Sequence, residues 1–261
     1  HNPTSMTVER YNNGTLGGGT AASAPIWNSS GVLGGDYEFD GINDYVGVNY
    51  DLPRNAHSSM SIWIKTNVTS MGISTWSGTN YLVNSFTDRT FYINGSGNAM
   101  LYVYSTGGSC SQVTNFISGG SNIADGKWHY LTGTWDTTGK SLYVDGNLVA
   151  SNNVGIYLPI AGMPYLSIGW ADTADCYSPT NKYFNGTIDE VKIYNKSLSA
   201  HQIYKDYQMG LNKYNTSVID SDETNEGEIW KCQITPNDGI SDGTTANASV
   251  RIAPLGDAHT Y

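Results

Sequence analysis

The stretch SLYVDGNLVA, residues 141–150, decides the fold class of this chain. Two short apolar-rich runs flank the Asp145-Gly146 pair at its centre. This pair suits a type I′ turn, because that turn requires positive φ at both central positions and Asp-Gly tolerates it. The stretch therefore predicts a β-hairpin of two antiparallel strands.

Short runs of the same texture lie on both sides of this hairpin. Met60, Ile62 and Ile64 alternate with other residues, and residues 127–135 and 187–194 form longer runs of the same kind. Loops rich in Gly, Ser and Asn separate the runs, and the regular strand–helix alternation of a parallel sheet is absent from the sequence. We therefore predict an all-β fold, an antiparallel two-sheet jelly-roll sandwich.

A short helix is predicted over residues 200–209, where it caps the sandwich. Ser199 is a favourable N-cap, and Gln202 three residues later completes a capping box, in which each side chain accepts a hydrogen bond from the other residue's backbone amide. Gly210 is predicted to end the helix in the left-handed conformation.

The composition indicates an exported, β-rich protein and argues against some partners. The chain has 261 residues with 13 basic and 23 acidic side chains, a formal charge of −10, and only 14% charged residues. Nucleic acids and anionic membrane surfaces attract basic patches, so the acidic balance disfavours both. No run of about 18 apolar residues occurs, so no membrane insertion is expected. We expect an extracellular or cell-surface location.

Four motifs resemble laminin G-like, concanavalin A-type jelly rolls, in the order found in that superfamily. They are residues 37–46 (YEFDGINDYV), 125–130 (DGKWHY), 142–146 (LYVDG) and 186–194 (GTIDEVKIY). The resemblance covers residues 11–210 and implies that this segment is one laminin G-like jelly-roll domain.

The remaining segment, residues 211–261, carries different sequence motifs. Residues 227–232 (GEIWKC) and 235–239 (TPNDG) resemble the last strands of Ig-like repeats in large prokaryotic surface proteins. A complete sandwich of that type has about seven strands in roughly 100 residues. The segment is therefore predicted to be a partial Ig-like β module followed by a tail.

An unfinished sandwich leaves strand edges exposed, and strand addition from a neighbouring copy is one way to complete it. Residues 1–10 form an N-terminal extension that could be the donated strand, and the tail, residues 253–261, could serve as well. A head-to-tail contact that does not close gives a filament, so the expected function is a non-enzymatic, self-associating, fibre-forming surface subunit with copies of itself as partners. Two alternatives stay open: a carbohydrate-binding adhesion module without an assembly role, and a module cut from a longer polypeptide.

The cysteines are odd in number, with three in the chain. A disulfide is predicted between Cys110 and Cys176, both in the large domain. Cys232 then lacks a partner in this chain, at the place where Ig-like domains put the second half of their inter-sheet disulfide. It is either a buried free thiol, or its partner strand belongs to another chain or to a removed segment.

Catalytic motifs are incomplete or absent from the sequence. Glycosidases of the concanavalin-like superfamily carry Glu-x-Asp-x-x-Glu, which places two carboxylates on one side of a strand. Here Glu38 and Asp40 are present, but Asn43 stands at the position of the second Glu. No Gly-x-Ser-x-Gly elbow and no Cys-x-x-Cys or His-Glu-x-x-His zinc spacing occurs. The chain is therefore predicted not to be an enzyme, with a glycoside hydrolase as a distant alternative.

The resemblance implies one structural Ca²⁺, which binds carboxylate and backbone oxygens. Asp40 in the opening strand and Asp189 in the closing strand are the candidate ligands. The alternative is that both carboxylates accept hydrogen bonds from turn amides.

Sugar binding is the usual ligand chemistry of this superfamily. It requires an exposed aromatic ring beside groups that hydrogen-bond to hydroxyls. The alternative for Trp170 and Tyr81 is that they end core strands. The candidate glycan-binding residues are Trp170, Asp172, Asp175, Tyr177, Trp76 and Tyr81.

Asn-x-Ser/Thr sequons are frequent and permit glycosylation in a host with the required machinery. The eight candidate glycosylation sites are Asn13, Asn28, Asn67, Asn94, Asn185, Asn195, Asn215 and Asn247.

Overall fold

The computed structural model describes residues 14–49, 57–77, 87–104, 115–155, 165–171, 181–212, 227–234 and 246–251. Backbone proximity divides the chain into two compact units, His1–Tyr214 and Asn215–Tyr261. The predicted N-terminal extension, residues 1–10, lies outside the described residues.

The described residues of the first unit form two antiparallel sheets of seven strands each, with strands numbered in chain order. In spatial order, the first sheet contains β1 (Thr15–Leu16), β4 (Val46–Asn49), β13 (Tyr165–Ile168), β6 (Met71–Ser77), β7 (Thr87–Ile93), β8 (Ala99–Val103) and β9 (Phe116–Gly119). The second sheet contains β12 (Asn147–Asn152), β11 (Lys140–Val144), β10 (Trp128–Trp135), β5 (Ser58–Lys65), β14 (Asn185–Tyr194), β3 (Asp36–Asp40) and β2 (Ile26–Asn28). This architecture confirms the predicted all-β jelly-roll sandwich.

The main apolar core lies between the two sheets. Met60, Ile62 and Ile64 of β5 are fully buried there, together with Leu101 of β8 and Leu131 of β10. Successive side chains of a strand point to opposite faces, so alternate residues fill one core. Complete burial of such a side chain stabilises the fold by about 1.5–3 kcal/mol. The apolar residues that alternate at positions 60–64 therefore form the inward face of a central strand.

Helix α1 (Ala200–Asn212) packs on the outer face of the second sheet, where Ile203 is buried beside Trp63 of β5. Its N-terminus confirms the capping box. The Ser199 N–H donates to Gln202 Oε1 at 2.9 Å, and the Gln202 N–H donates to Ser199 Oγ at 3.2 Å. No helix among the described residues is both long enough and apolar enough to cross a membrane.

The prediction that Gly210 ends this helix was wrong, because the helix continues through Asn212. Gly210 is needed for packing instead. A Cβ at this position would lie 2.5 Å from Cζ2 of Trp63 and 2.7 Å from its Cε2 and Nε1. The missing side chain lets the helix backbone approach the indole. Backbone proximity places the division between the two compact units after Tyr214.

The β11–β12 hairpin confirms the predicted turn. Asp145 and Gly146 have φ values of 51° and 76°, the positive pair that a type I′ turn requires.

The second unit shows one two-stranded antiparallel sheet within its described residues. It is formed by β15 (Ile229–Ile234) and β16 (Ala246–Arg251). Cys232 lies in β15, in register with Ala248. Cys110 and Cys176 lie outside the described residues, so their predicted disulfide stays a prediction.

Candidate functional site

The two tryptophans predicted to stack on a sugar are buried. Trp76 of β6 is 1% exposed and belongs to the core between the sheets. Trp170, which follows β13 and forms an isolated bridge with Tyr183, is 4% exposed. Neither indole presents a ring face to solvent, so the prediction of a sugar-stacking role for these two residues was wrong. The register of their strands directs them into packed layers.

The other predicted sugar contacts, Tyr81, Asp172, Asp175 and Tyr177, lie outside the described residues. Asp172, Asp175 and Tyr177 fall in the stretch between the described residues Ala171 and Asn181. Both of these flanking residues contact Gly72 of β6. A Cβ on Gly72 would lie 2.6 Å from the Ala171 Cβ, and the Gly72 N–H donates to the Asn181 carbonyl at 3.1 Å. Ala171 and Asn181 therefore lie close to each other, beside Gly72 of the first sheet.

The outer face of the first sheet carries a row of hydroxyls and tyrosines. Ser167, Thr75, Thr90 and Tyr102 are in register across β13, β6, β7 and β8. The Oγ1 atoms of Thr75 and Thr90 are 2.7 Å apart and share a hydrogen bond. All four residues are buried, and so is the neighbouring Tyr92. These five described residues are buried and present no open ring to a ligand.

An exposed aromatic ring is found elsewhere, on the edge strand β2. Trp27 is 59% exposed and is the one exposed tryptophan among those whose side chains the structure describes. Its indole packs against the backbone of Gly35, where a Cβ would lie 2.6 Å from Nε1 and 2.7 Å from Cε2 and Cζ2. One side of the ring is thus supported by backbone while the ring stays accessible to solvent.

Polar groups lie along the same edge of the second sheet as this tryptophan. Asn28 Nδ2 donates to Glu38 Oε2 at 3.3 Å, and Ser29 and Ser30 are exposed in the turn that follows β2. β2 ends the second sheet, and the successive residues Trp27 and Asn28 point to its two opposite faces, so they share the edge of the sheet and not one face. We refer to Trp27, Asn28, Ser29, Ser30 and Glu38 as the edge site.

Sequence reasoning missed Trp27 for a physical reason. A three-residue run Ile26-Trp27-Asn28 has the same apolar texture as a buried strand. The available signal was the Ser29-Ser30-Gly31 turn directly after it, which shortens the strand. Only the sheet order shows that this strand lies at an edge.

The two carboxylates predicted to bind Ca²⁺ do not converge. Asp40 is in register with Asn185, which lies four positions from Asp189 on β14. At roughly 3.3 Å per residue, this register separates the two carboxylate positions by about 13 Å along the strand. The pair therefore does not fit one calcium site, and no cluster of three His, Cys, Asp or Glu among the described residues could hold a metal.

Backbone amides occupy these two carboxylates instead. Asp189 Oδ2 accepts the N–H groups of Val32 and Leu33 at 2.7 and 3.1 Å. Asp40 Oδ1 accepts the N–H of Ile42 at 2.7 Å. Burial raises the pKa of the Asp189 carboxyl, against the opposing effect of its amide donors. Turn amides, the alternative stated above, account for both residues.

The incomplete glycosidase motif is also used structurally. Asn43 lies in the turn after β3, and its N–H donates to Asp40 Oδ1 at 3.2 Å. Glu38 is exposed and accepts from Asn28. The turn therefore holds one carboxylate of the motif, and the third position of the motif carries no acid.

The structure separates the sequon asparagines by environment. Asn13 and Asn215 lie outside the described residues, and Asn28 and Asn94 are partly buried. The exposed sequon asparagines are Asn67, Asn185, Asn195 and Asn247.

Comparisons with known proteins agree with this fold. Residues 39–204 match the family model described as the concanavalin A-like lectin/glucanases superfamily. The chain is 27% identical over 173 residues to the sushi, von Willebrand factor type A, EGF and pentraxin domain-containing protein 1 of Rattus norvegicus, and 26% identical to that of Mus musculus. Each match covers 64% of this chain but only 4% of the relative's length.

Solved structures show a similar fold at low sequence identity. The binding domain of botulinum neurotoxin serotype G is 16% identical with a TM-score of 0.51, covering 77% of this chain and 47% of that one. The binding domain of Paraclostridial Mosquitocidal Protein 1 is 13% identical with a TM-score of 0.53, covering 86% and 54%. The family match spans more than half of the sequence and includes three of the four motifs quoted above and most of the first one, so this chain belongs to the concanavalin A-like lectin/glucanase superfamily.

Proposed function

We propose that this chain is a non-enzymatic, extracellular carbohydrate-binding or adhesion-type module, and that the edge site is its glycan contact. The superfamily is named for its lectins and glucanases, and the similar neurotoxin and mosquitocidal structures are binding domains of those proteins. These descriptions support a binding role, and the missing third acid of the glycosidase motif speaks against hydrolysis.

The exposure of Trp27 is the observation that carries the proposal. A pyranose ring has an apolar C–H face that stacks on an indole, while its hydroxyls need hydrogen-bonding groups nearby. Trp27 is held against Gly35 and is open to solvent, so little side-chain entropy is lost on binding. Ser29 and Ser30 are exposed in the turn that directly follows β2, and their hydroxyls supply both donors and acceptors. Asn28 and Glu38 offer further polar groups on the other face of the same edge.

The charge of the chain narrows the ligand class. The formal net charge is −10, and Glu38 lies at the edge site itself. Electrostatic complementarity therefore favours neutral or amino sugars over sialic or uronic acids.

A glycan array followed by calorimetry on the hits tests this proposal. Trp27→Ala should weaken binding about fivefold or more, since ring stacking contributes about 1 kcal/mol beyond the area it buries. Trp27→Phe should retain part of the affinity. Ile42→Ala is the matched control, because Ile42 is 72% exposed but aliphatic, and it should bind normally. An array without hits, or equal affinity of Trp27→Ala and wild type, refutes the proposal.

The second unit supports a second proposal, assembly by strand addition. Its described residues form a two-stranded sheet, and an isolated two-stranded hairpin is marginally stable in water. We infer that β15 and β16 belong to a partial Ig-like module that a strand from another copy completes, with residues 1–10 as the donated segment.

Light scattering after size exclusion tests the assembly. The full chain should form oligomers that grow with concentration, and deletion of residues 1–10 should abolish them. A strict monomer at all concentrations refutes assembly, and the glycan-binding proposal would be unaffected by that result.

A further inference from the structure

His129, at the start of β10, lies between two carboxylates that belong to different turns. Its Nδ1 is 2.8 Å from Asp145 Oδ2, and its Nε2 is 3.1 Å from Asp125 Oδ1. The side chain is 14% exposed. A neutral imidazole has one N–H and one lone pair, whereas the imidazolium donates from both nitrogens. With an acceptor at each nitrogen, this geometry suits the charged form.

Each carboxylate also organises its own turn. Asp145 Oδ1 accepts the Tyr130 N–H at 2.9 Å, and the Asp145 N–H donates to the Tyr130 carbonyl at 2.8 Å. Asp145 has a φ of 51°, which costs strain in a non-glycine residue. Asp125 Oδ1 accepts the Lys127 N–H at 2.9 Å. His129 therefore links the 125–127 turn to the turn between β11 and β12.

The β11–β12 turn in turn contacts helix α1. Gly146 follows Asp145, and a Cβ on it would lie 3.0 Å from Tyr204 Cδ2 and 3.2 Å from Tyr207 Cδ1. The Tyr207 ring stacks on Trp63, with centroids 5.7 Å apart. The position of this turn therefore affects how the helix sits on the second sheet.

We propose that His129 is a proton-operated clasp: when charged, it ties the 125–127 turn to the β11–β12 turn and holds helix α1 most firmly against the sheet. Loss of the proton removes one of the two donated hydrogen bonds and the attraction to both carboxylates. The helix contact at Gly146 then loosens without global unfolding.

The groups that face His129 favour its charged form. The hydrogen bond to Asp145 is the main cause that raises the pKa of His129, and burial opposes it. Lys127 Nζ lies 3.2 Å from Asp125 Oδ2 but is exposed to solvent. On β5, uncharged Ile64 is in register with His129, and the adjacent Lys65 is exposed.

On α1, burial, then Asp145, raises the pKa of Tyr207, so this side chain is uncharged at neutral pH. The pKa of Asp125 is lowered to about 2, so this carboxylate stays charged in mild acid.

The direction of the pH effect follows from linkage. Because the folded pKa of His129 is raised above its ordinary value of 6.5, the clasp is complete below pH 6.5 and is lost as pH rises through the folded pKa. Between these two values, one bound proton changes the folding or docking equilibrium by up to about tenfold per pH unit.

Residue-resolved NMR on the full chain tests the clasp. The His129 ring should titrate with a midpoint above 6.5, and hydrogen-exchange protection of the α1 amides, corrected for the intrinsic rate, should fall between pH 6 and 8.5. His129→Gln should remove that pH dependence, and His201→Gln, which changes an exposed histidine on the same helix, should keep it.

Asp125→Asn provides a second variant in case His129→Gln folds poorly. It should lower the His129 midpoint, because one of the two carboxylates is neutralised. A wild-type midpoint at or below 6.5 overturns the proposal, and so does unchanged pH-dependent protection in His129→Gln.

Discussion

The substitution Gly210→Ala separates helix propensity from packing at the face where α1 meets the sheet. Gly210 lies in the last turn of helix α1, which ends at Asn212. In an exposed helix interior, replacing Gly by Ala stabilises by about 1 kcal/mol. Here the new methyl would lie 2.5–2.7 Å from three ring atoms of Trp63. The sign of the change in unfolding free energy therefore depends on whether Trp63 can move.

The surroundings of Trp63 oppose such movement. The indole is 3% exposed, and the rings of Tyr130 and Tyr207 lie 5.1 and 5.7 Å away between centroids. Overpacking of a well-filled core costs about 1–3 kcal/mol, occasionally more. Subtracting the propensity gain of about 1 kcal/mol, we expect Gly210→Ala to lower the free energy of unfolding by up to about 2 kcal/mol.

Urea denaturation followed by far-UV circular dichroism measures this change. Gly95→Ala is the control, because a Cβ at Gly95 meets no atom within 4 Å, and it should be near neutral. In a Trp63→Phe background the cost of Gly210→Ala should shrink, since the clashing indole atoms are gone. A gain of stability in Gly210→Ala refutes the packing argument. An equal cost in both backgrounds refutes it as well.

Other positions give further tests. Asn185→Gln should lower the free energy of unfolding, measured by urea denaturation, by about 1 kcal/mol, because Asn185 Nδ2 donates to the Asp40 carbonyl at 2.8 Å. Asn67→Gln, at another exposed sequon, should leave stability unchanged, and an equal loss in both variants would contradict a role for the Asn185 hydrogen bond. Burial lowers the pKa of Lys140 to about 8, so stability should rise with pH from about 8 towards 10.5, and Lys140→Met should abolish that rise; a rise that persists in the variant would show another group to be responsible. Asp189→Asn should lower the melting temperature equally with calcium and with a chelator, because its oxygens accept backbone amides; a loss confined to the calcium sample would point to a metal ligand.

Interactions between residues close in sequence allowed several elements of this fold to be predicted. The Asp145-Gly146 turn, the capping box of Ser199 and Gln202, and the alternation at residues 60–64 each depend on neighbours within a few positions. The order of four such motifs was enough to identify the superfamily. These features are local, because the residues that cause each one lie within the same short segment of the sequence.

The functional surface depended on contacts between distant parts of the chain. Trp27 and Trp76 are the same residue type in similar strands, yet one is 59% and the other 1% exposed. Gly210 was misread as a helix stop because its partner, Trp63, is far away in sequence. Exposure and close approach follow from which strand lies at an edge and which helix covers which sheet. Local motifs were sufficient to predict the all-β fold, the hairpin turn and the superfamily. Which side chains contact each other and which contact solvent followed from the folded arrangement, because burial depends on packing between segments that are remote in sequence.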